Sequence, residues 1–142
     1  FSINSQDSSP FSLSFKSDGT VMYIGGDITN TVYQYNLSQA WDISTGSYTG
    51  DNLSVSTQST KPTGLEFSSD GTKMYVMGRT GQDVNEYDLS DAWNISTATY
   101  SQNFSVATQE TEPTGLFIRS EGTKMYVVGT ANDTVYEYDI TA

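Results

Sequence analysis

The chain has 142 residues, a hydrophobic fraction of 35%, an aromatic fraction of 13% led by ten tyrosines, and a formal net charge of −11. That is enough chain for one domain with its own core, and its regularly placed aromatic and β-branched residues argue against disorder. Acidity of this size repels phosphate backbones and anionic lipid, so nucleic acid and membrane surfaces are not expected partners, and it suits an extracellular medium. Cysteine and histidine are both absent, which rules out a disulfide, a Cys/His zinc site and a histidine-based triad. No cofactor and no metal is expected. No apolar run approaches the ~20 residues of a membrane-spanning helix. The chain opens at Phe1 without a signal-type segment, as expected of a mature, trimmed or partial product.

One sentence is written three times along the chain. Ser17-Asp18-Gly19-Thr20, Ser69-Asp70-Gly71-Thr72 and Ser120-Glu121-Gly122-Thr123 recur, and each precedes Met-Tyr-Ile or Met-Tyr-Val (Met22, Met74, Met125). All three prolines (Pro10, Pro62, Pro113) share one repeat position, and both tryptophans (Trp41, Trp93) share another. A period of about 50 residues marks stacked or radial units that cannot bury their apolar faces alone.

In chain order, the repeats predict a lone outer strand (1–9), a first blade (10–60), a second (61–111) and an incomplete third (112–142). The opening Phe1 to Gln6 aligns with Leu53 to Gln58 and with Phe104 to Gln109, the outer-strand positions of the later copies. The middle copy is the most legible. Pro62 to Phe67 alternates as a strand, and Asp70-Gly71 supplies a hairpin turn. Lys73 to Gly78 is a second strand, apolar on both faces and so expected between neighbours. A turn at Gly81 leads to a third strand, Asp83 to Leu89. Ser90 to Thr99 is a longer connection, with room for one helical turn near Leu89 to Trp93. Tyr100 to Gln109 is a polar outer strand. Four antiparallel strands in about 50 residues make the blade of an all-β propeller. The first and third copies repeat this plan, the third as far as its third strand, Thr134 to Ile140.

The runs Pro-Thr-Gly-Leu, Ser-Asp-Gly-Thr-Lys-Met-Tyr-Val and Val-x-Glu-Tyr-Asp-Leu resemble YVTN-type β-propeller repeats. They are still more similar to tandem propeller repeats of phage structural proteins and large secreted bacterial proteins from aquatic environments. The resemblance covers essentially the whole chain and implies fold far more than function, because propellers host enzymes, lectins and scaffolds alike. It carries no catalytic motif onto these residues.

Two blades complete and a third split between the chain ends predict an obligate assembly. The strand at Phe1 and Ile3 would join the open edge at Tyr136, Tyr138 and Ile140 of another copy, by strand addition. A closing rotation gives a ring, a non-closing one a filament, and a longer tandem array is the third arrangement. The expected partner is therefore the protein itself, head to tail, with glycans second.

Several constellations invite a chemical reading. Asp18, Asp70 and Glu121 sit where a turn wants a short acid beside glycine. Glu86, Asp88, Glu137 and Asp139 form a carboxylate ladder that could serve glycoside hydrolysis or calcium, but the first copy carries Gln34 and Asn36 instead. Trp41 and Trp93, flanked by Tyr48 and Tyr100, are the candidate ligand-binding residues, because an exposed ring beside small polar groups suits a sugar. The alternative for each tryptophan is a plug between blades. Five sequons (Asn36, Asn52, Asn94, Asn103, Asn132) offer glycosylation positions, with Asn52 and Asn103 favoured on the outer strand. The functional expectation is a non-catalytic structural repeat protein of the extracellular space or a virion surface. The alternative is a propeller lectin, and less so a glycosidase or lyase.

Overall fold

The computed structural model describes residues 1–140 and is built almost wholly of strands. The third blade as read from the repeats ends at residues 141 and 142, which lie outside the described residues. Strands β1 (Pro10–Phe15), β2 (Val21–Gly26), β3 (Thr31–Leu37) and β4 (Gly46–Ser54) form one antiparallel meander. Strands β5 (Pro62–Phe67), β6 (Lys73–Gly78), β7 (Asp83–Leu89) and β8 (Ala98–Ser105) form the second. Strands β9 (Pro113–Ile118), β10 (Lys124–Gly129) and β11 (Val135–Asp139) form a three-stranded third. Inner strands β1, β5 and β9 lie side by side, so the three sheets stand as successive blades about a common inner edge.

Turn chemistry explains the hairpins. Gly19, Gly71 and Gly122 take left-handed φ values of +74°, +74° and +66°, where a side chain would be strained. Asp18 and Asp70 fasten those turns by accepting the Thr20 and Thr72 N–H at 2.9 and 3.0 Å. In the second hairpin the left-handed residue of the middle blade is Gln82 (φ +53°), not the expected Gly81, and Asn30 and Asp133 match it in the other blades. The one helical turn falls later than expected. Short 3₁₀ turns cover Ile43–Thr45 and Ile95–Thr97, each capped by the residue after the tryptophan: Asp42 and Asn94 accept the Ser44 and Ser96 N–H.

The outer strand ends sooner than its alternation suggests. β8 stops at Ser105 because Val106 is fully buried and its carbonyl takes the N–H groups of Gln109 and Glu110. Val55 makes the same turn after β4. So does Ile3, whose carbonyl takes the N–H of Gln6 and Asp7 at 2.9 and 3.1 Å. Phe1 to Gln6, read from the repeats as a lone strand, therefore makes no strand pairing and folds back on its own blade. Phe1 lies edge-on to Tyr35 at 5.4 Å, and the Tyr35 hydroxyl donates to the Gln6 side chain.

The core lies between blades rather than inside them. Tyr23 and Val32 of the first blade meet Leu65, Phe67, Met74, Val76, Leu89 and Ile95 of the second. One repeat later, Tyr75, Met77 and Val84 meet Ile118, Met125, Val127 and Ile140. A third cluster, around Met22, Ile24, Tyr35 and Leu37, lies on the outward face of the first blade.

Candidate functional site

The two covered interfaces define what a blade face is for. One face of a blade presents Tyr23 and Val32, or Tyr75 and Val84. The opposite face of the next blade presents Leu65, Met74 and Ile95, or Leu116 and Met125. Two further faces carry the same residue types and meet no other blade among the described residues. On the first blade, Leu13 is 56% exposed and Ile43 48%, where their equivalents Leu65 and Ile95 are 4% and 0%. On the third, Val135 is 66% exposed, where Val32 and Val84 are 1% and 0%. The first face forms a shallow apolar groove of about 380 Å³ lined by Phe1, Ile3, Leu13, Phe15, Met22, Ile24 and Ile43. The other is a groove of about 240 Å³ around Phe117, Tyr126, Val128 and Val135.

The tryptophans belong to this architecture. Each lies over the glycine of its own blade's first turn, so that a β-carbon at Gly19 or Gly71 would strike the ring. Trp41 and Trp93 themselves take φ values of +66° and +68°, and their N–H groups donate to the Gly19 and Gly71 carbonyls. Trp93 also stacks on Phe67 at 5.6 Å and accepts the Tyr23 hydroxyl of the preceding blade through its carbonyl, at 2.5 Å. Trp41, which meets no preceding blade among the described residues, is 60% exposed. Tyr48 and Tyr100 pack instead on third-strand tyrosines of their own blades, Tyr35 at 5.5 Å and Tyr87 at 5.8 Å. The ring contacts of the four residues thus fall in two separate places on each blade.

The assembly residues read from the sequence also divide. Ile140 is buried and Tyr138 half-buried against the second blade. What β11 leaves free among the described residues is its main-chain edge, because there it pairs only with β10. Tyr136 is half-buried, Ile3 packs on the outward cluster of the first blade, and Phe1 is exposed beside it.

The carboxylate ladder is a set of ion pairs. Lys73 Nζ reaches Glu86 at 2.5 Å and Asp88 at 2.8 Å, and Lys124 Nζ reaches Glu137 and Asp139, both at 2.7 Å. Burial pulls the Lys73 pKa down, but hydrogen bonds to Asp88 and Glu86 outweigh it and hold the ammonium above its ordinary value. In the first blade Val21 takes the place of the lysine just where Gln34 and Asn36 take the place of the acids. Charge and countercharge are exchanged together, which is the mark of a structural pair.

At the sequons, Asn36, Asn52, Asn103 and Asn132 are exposed and Asn94 is half-buried. Asn52 Nδ2 donates to Tyr48 Oη, Asn103 Nδ2 to Asp83, and Asn132 Nδ2 to the Gln109 carbonyl. Asn94 caps its 3₁₀ turn and donates to Asp91. No group of His, Cys, Asp and Glu among the described residues is arranged to hold a metal ion.

Two acids went unread in the sequence. Glu66 lies on the inner strand β5, in a groove of about 210 Å³ lined by Ser14, Ser17, Phe67, Ser69, Trp93, Phe117 and Ser120. It has no ion-pair partner among the described residues, and burial pushes its carboxyl up to about 7. The available signal was its misfit with the repeat, since Ser14 and Phe117 occupy its position elsewhere. Glu110 is fully buried. One of its oxygens accepts the Glu112 and Ala131 N–H groups and the other has no partner among the described residues. Asp7, its equivalent, fastens the corresponding turn of the first blade through Thr29.

No protein-family model matches the chain, and no curated protein matches it. Solved structures do. A candidate 6-phosphogluconolactonase from Bacteroides uniformis is 13% identical with a TM-score of 0.70, over 93% of this chain and 37% of that one. A protein of unknown function from Desulfotomaculum acetoxidans is 16% identical with a TM-score of 0.70, over 94% and 38%. The β-propeller domain of Cps50 from Myceliophteria thermophila is 9% identical with a TM-score of 0.62, over 92% and 39%. The chain therefore has the β-propeller fold and spans between 37% and 39% of the length of these structures.

Proposed function

We propose that this protein is a non-catalytic structural repeat unit that builds a ring or filament by joining copies of itself, blade face to blade face. The observation that carries the reading is the pair of free faces. Each repeats the residues of a face that is covered elsewhere in the same molecule, and the two are complementary in the sense in which the covered faces are. By that rule Val135 and Tyr126 of one copy take the place of Val32 and Tyr23, and Leu13 and Ile43 of the next take the place of Leu65 and Ile95. Tyr126 then donates to the Trp41 carbonyl as Tyr23 does to that of Trp93. Such a contact is heterologous, so a closing rotation gives a ring and any other a filament. Apolar patches of this kind are also the usual mark of an interaction surface. The acidic composition suits an extracellular or virion-surface setting.

The test is sedimentation across a concentration series, with Leu13→Asp and Val135→Asp variants. Each variant alone should remain monomeric, and an equimolar mixture should stop at dimers, because each copy still has one usable face. A wild-type chain that stays monomeric at every concentration would end the reading.

Carbohydrate binding is the second reading, and the groove around Glu66 favours it. An unpaired carboxylate among serine hydroxyls, with the Trp93 and Phe117 rings at its wall, is suited to a hydroxyl-rich ligand. Saturable glycan binding that disappears in Trp93→Ala and Glu66→Ala would support it. The activity named for the Bacteroides protein is not carried over, since likeness at this identity speaks to fold alone.

A further inference from the structure

The groove between the second and third blades has a filled twin. It measures about 200 Å³ and is lined by Tyr75 and Glu86 on one side and by Glu121, Gly122 and Ile140 on the other. Between the first and second blades the equivalent groups are engaged. The Tyr23 hydroxyl donates to the Trp93 carbonyl at 2.5 Å, Gln34 Oε1 accepts the Ile95 N–H at 3.1 Å, and the Trp93 ring covers Gly71.

In the second groove all three positions are prepared. Tyr75, equivalent to Tyr23, donates its hydroxyl to nothing among the described residues and opens on the groove. Glu86, equivalent to Gln34, receives Lys73 and Gln102 on one oxygen, Oε1, which leaves Oε2 for an incoming N–H. Gly122 has the left-handed conformation of Gly71, but open space lies where the ring would sit. Beside the groove runs the edge of β11 that is unpaired among the described residues, at the place where β7 receives β8. In the second blade the tryptophan turn leads directly into that strand, Ile95–Thr97 into Ala98–Ser105.

We infer that this groove and the β11 edge together form a receptor for a peptide segment made of a tryptophan turn followed by a strand. The segment has the pattern Asp-Ala-Trp-Asn-Ile-Ser-Thr, as in Asp91 to Thr97, and can be supplied in trans. Its indole covers Gly122, its tryptophan carbonyl accepts the Tyr75 hydroxyl, and the N–H two residues on donates to Glu86. The strand that follows adds antiparallel to β11, with backbone bonds giving affinity and the tryptophan giving specificity. Recognition rests on these groups and needs no covalent link to the third blade. It is also separate from the blade-face assembly, which uses the outward side of the third blade.

The experiment is titration calorimetry of the whole protein with a synthetic peptide of the sequence Ser90 to Gln102. Saturable binding at one site per chain is expected. Replacing the peptide's tryptophan by alanine should weaken it at least about tenfold, and Tyr75→Phe in the protein should weaken it several-fold with an unchanged unfolding midpoint. The Leu13→Asp variant, blocked in assembly, should bind as the wild type does, which separates this inference from the assembly reading. Absence of saturable binding, or binding that the alanine peptide or a scrambled peptide matches, would overturn it whatever Tyr75→Phe does.

Discussion

The face between the first two blades and the outward faces of the first and third blades are written with the same residues, yet Leu13, Ile43 and Val135 are exposed on the outward faces where Leu65, Ile95 and Val84 are buried. Ile95 is wholly buried and Ile43 half exposed, although each follows a tryptophan turn that is capped and bonded in the same way. The repeat therefore encodes the local device, and the neighbour decides its burial. The free faces keep apolar residues at the positions that are covered between blades, and the proposed assembly rests on that composition.

This comparison can be broken or sharpened in four ways. The largest difference is expected between Ile95→Ala and Ile43→Ala. The first empties a packed position and should cost about 2–5 kcal/mol in urea unfolding of dilute protein. The second should cost under about 0.5 kcal/mol there and show itself as weaker self-association at high concentration. Equal costs would mean that Ile43 is not at a free face.

Next come the two lysine triads. Lys73→Met leaves Glu86, 3% exposed, without its cation and should destabilise by about 1–3 kcal/mol. Lys124→Met, among exposed acids, should change stability far less, because water and salt screen exposed pairs. Thermal unfolding at low salt would separate them.

The glycines follow. Gly122→Ala should cost about 1–2 kcal/mol for its left-handed backbone alone. Gly71→Ala adds the collision with the Trp93 ring and should cost more, with a change in tryptophan fluorescence that Gly122→Ala lacks.

The last test is the pH dependence set by Glu66. Its carboxyl titrates at about 7 in the folded chain against an ordinary value of 4.5, so burial favours the protonated form. That contribution is fully present below pH 4.5 and is lost as the pH rises through about 7. Unfolding at a series of pH values should show stability declining across this window in the wild type and a flatter profile in Glu66→Gln.

The blades, their hairpins and their spacing were legible in the sequence because turn chemistry and period-two alternation are local. Asp70-Gly71 needs no distant partner to make a turn, and Pro62 to Phe67 came out as a strand to the residue. The tryptophans were placed in the right connection, but their left-handed backbone and their seat on the turn glycine were not readable, since both depend on a hairpin twenty residues away. Non-local contacts also explain the remaining differences. Val106 ends β8 because its side chain is drawn into the space between blades, and Phe1 to Gln6 folds back because Tyr35 and Gln6 meet across the first blade. Glu66 was invisible for the same reason: a lone acid in a strand acquires its character only when Ser14 and Phe117 arrive from the neighbouring inner strands. The sequence by itself determined the unit and its count, through short-range backbone preferences. Only the tertiary structure decided which copies of each apolar face are covered, because burial is a property of the neighbour and not of the residue.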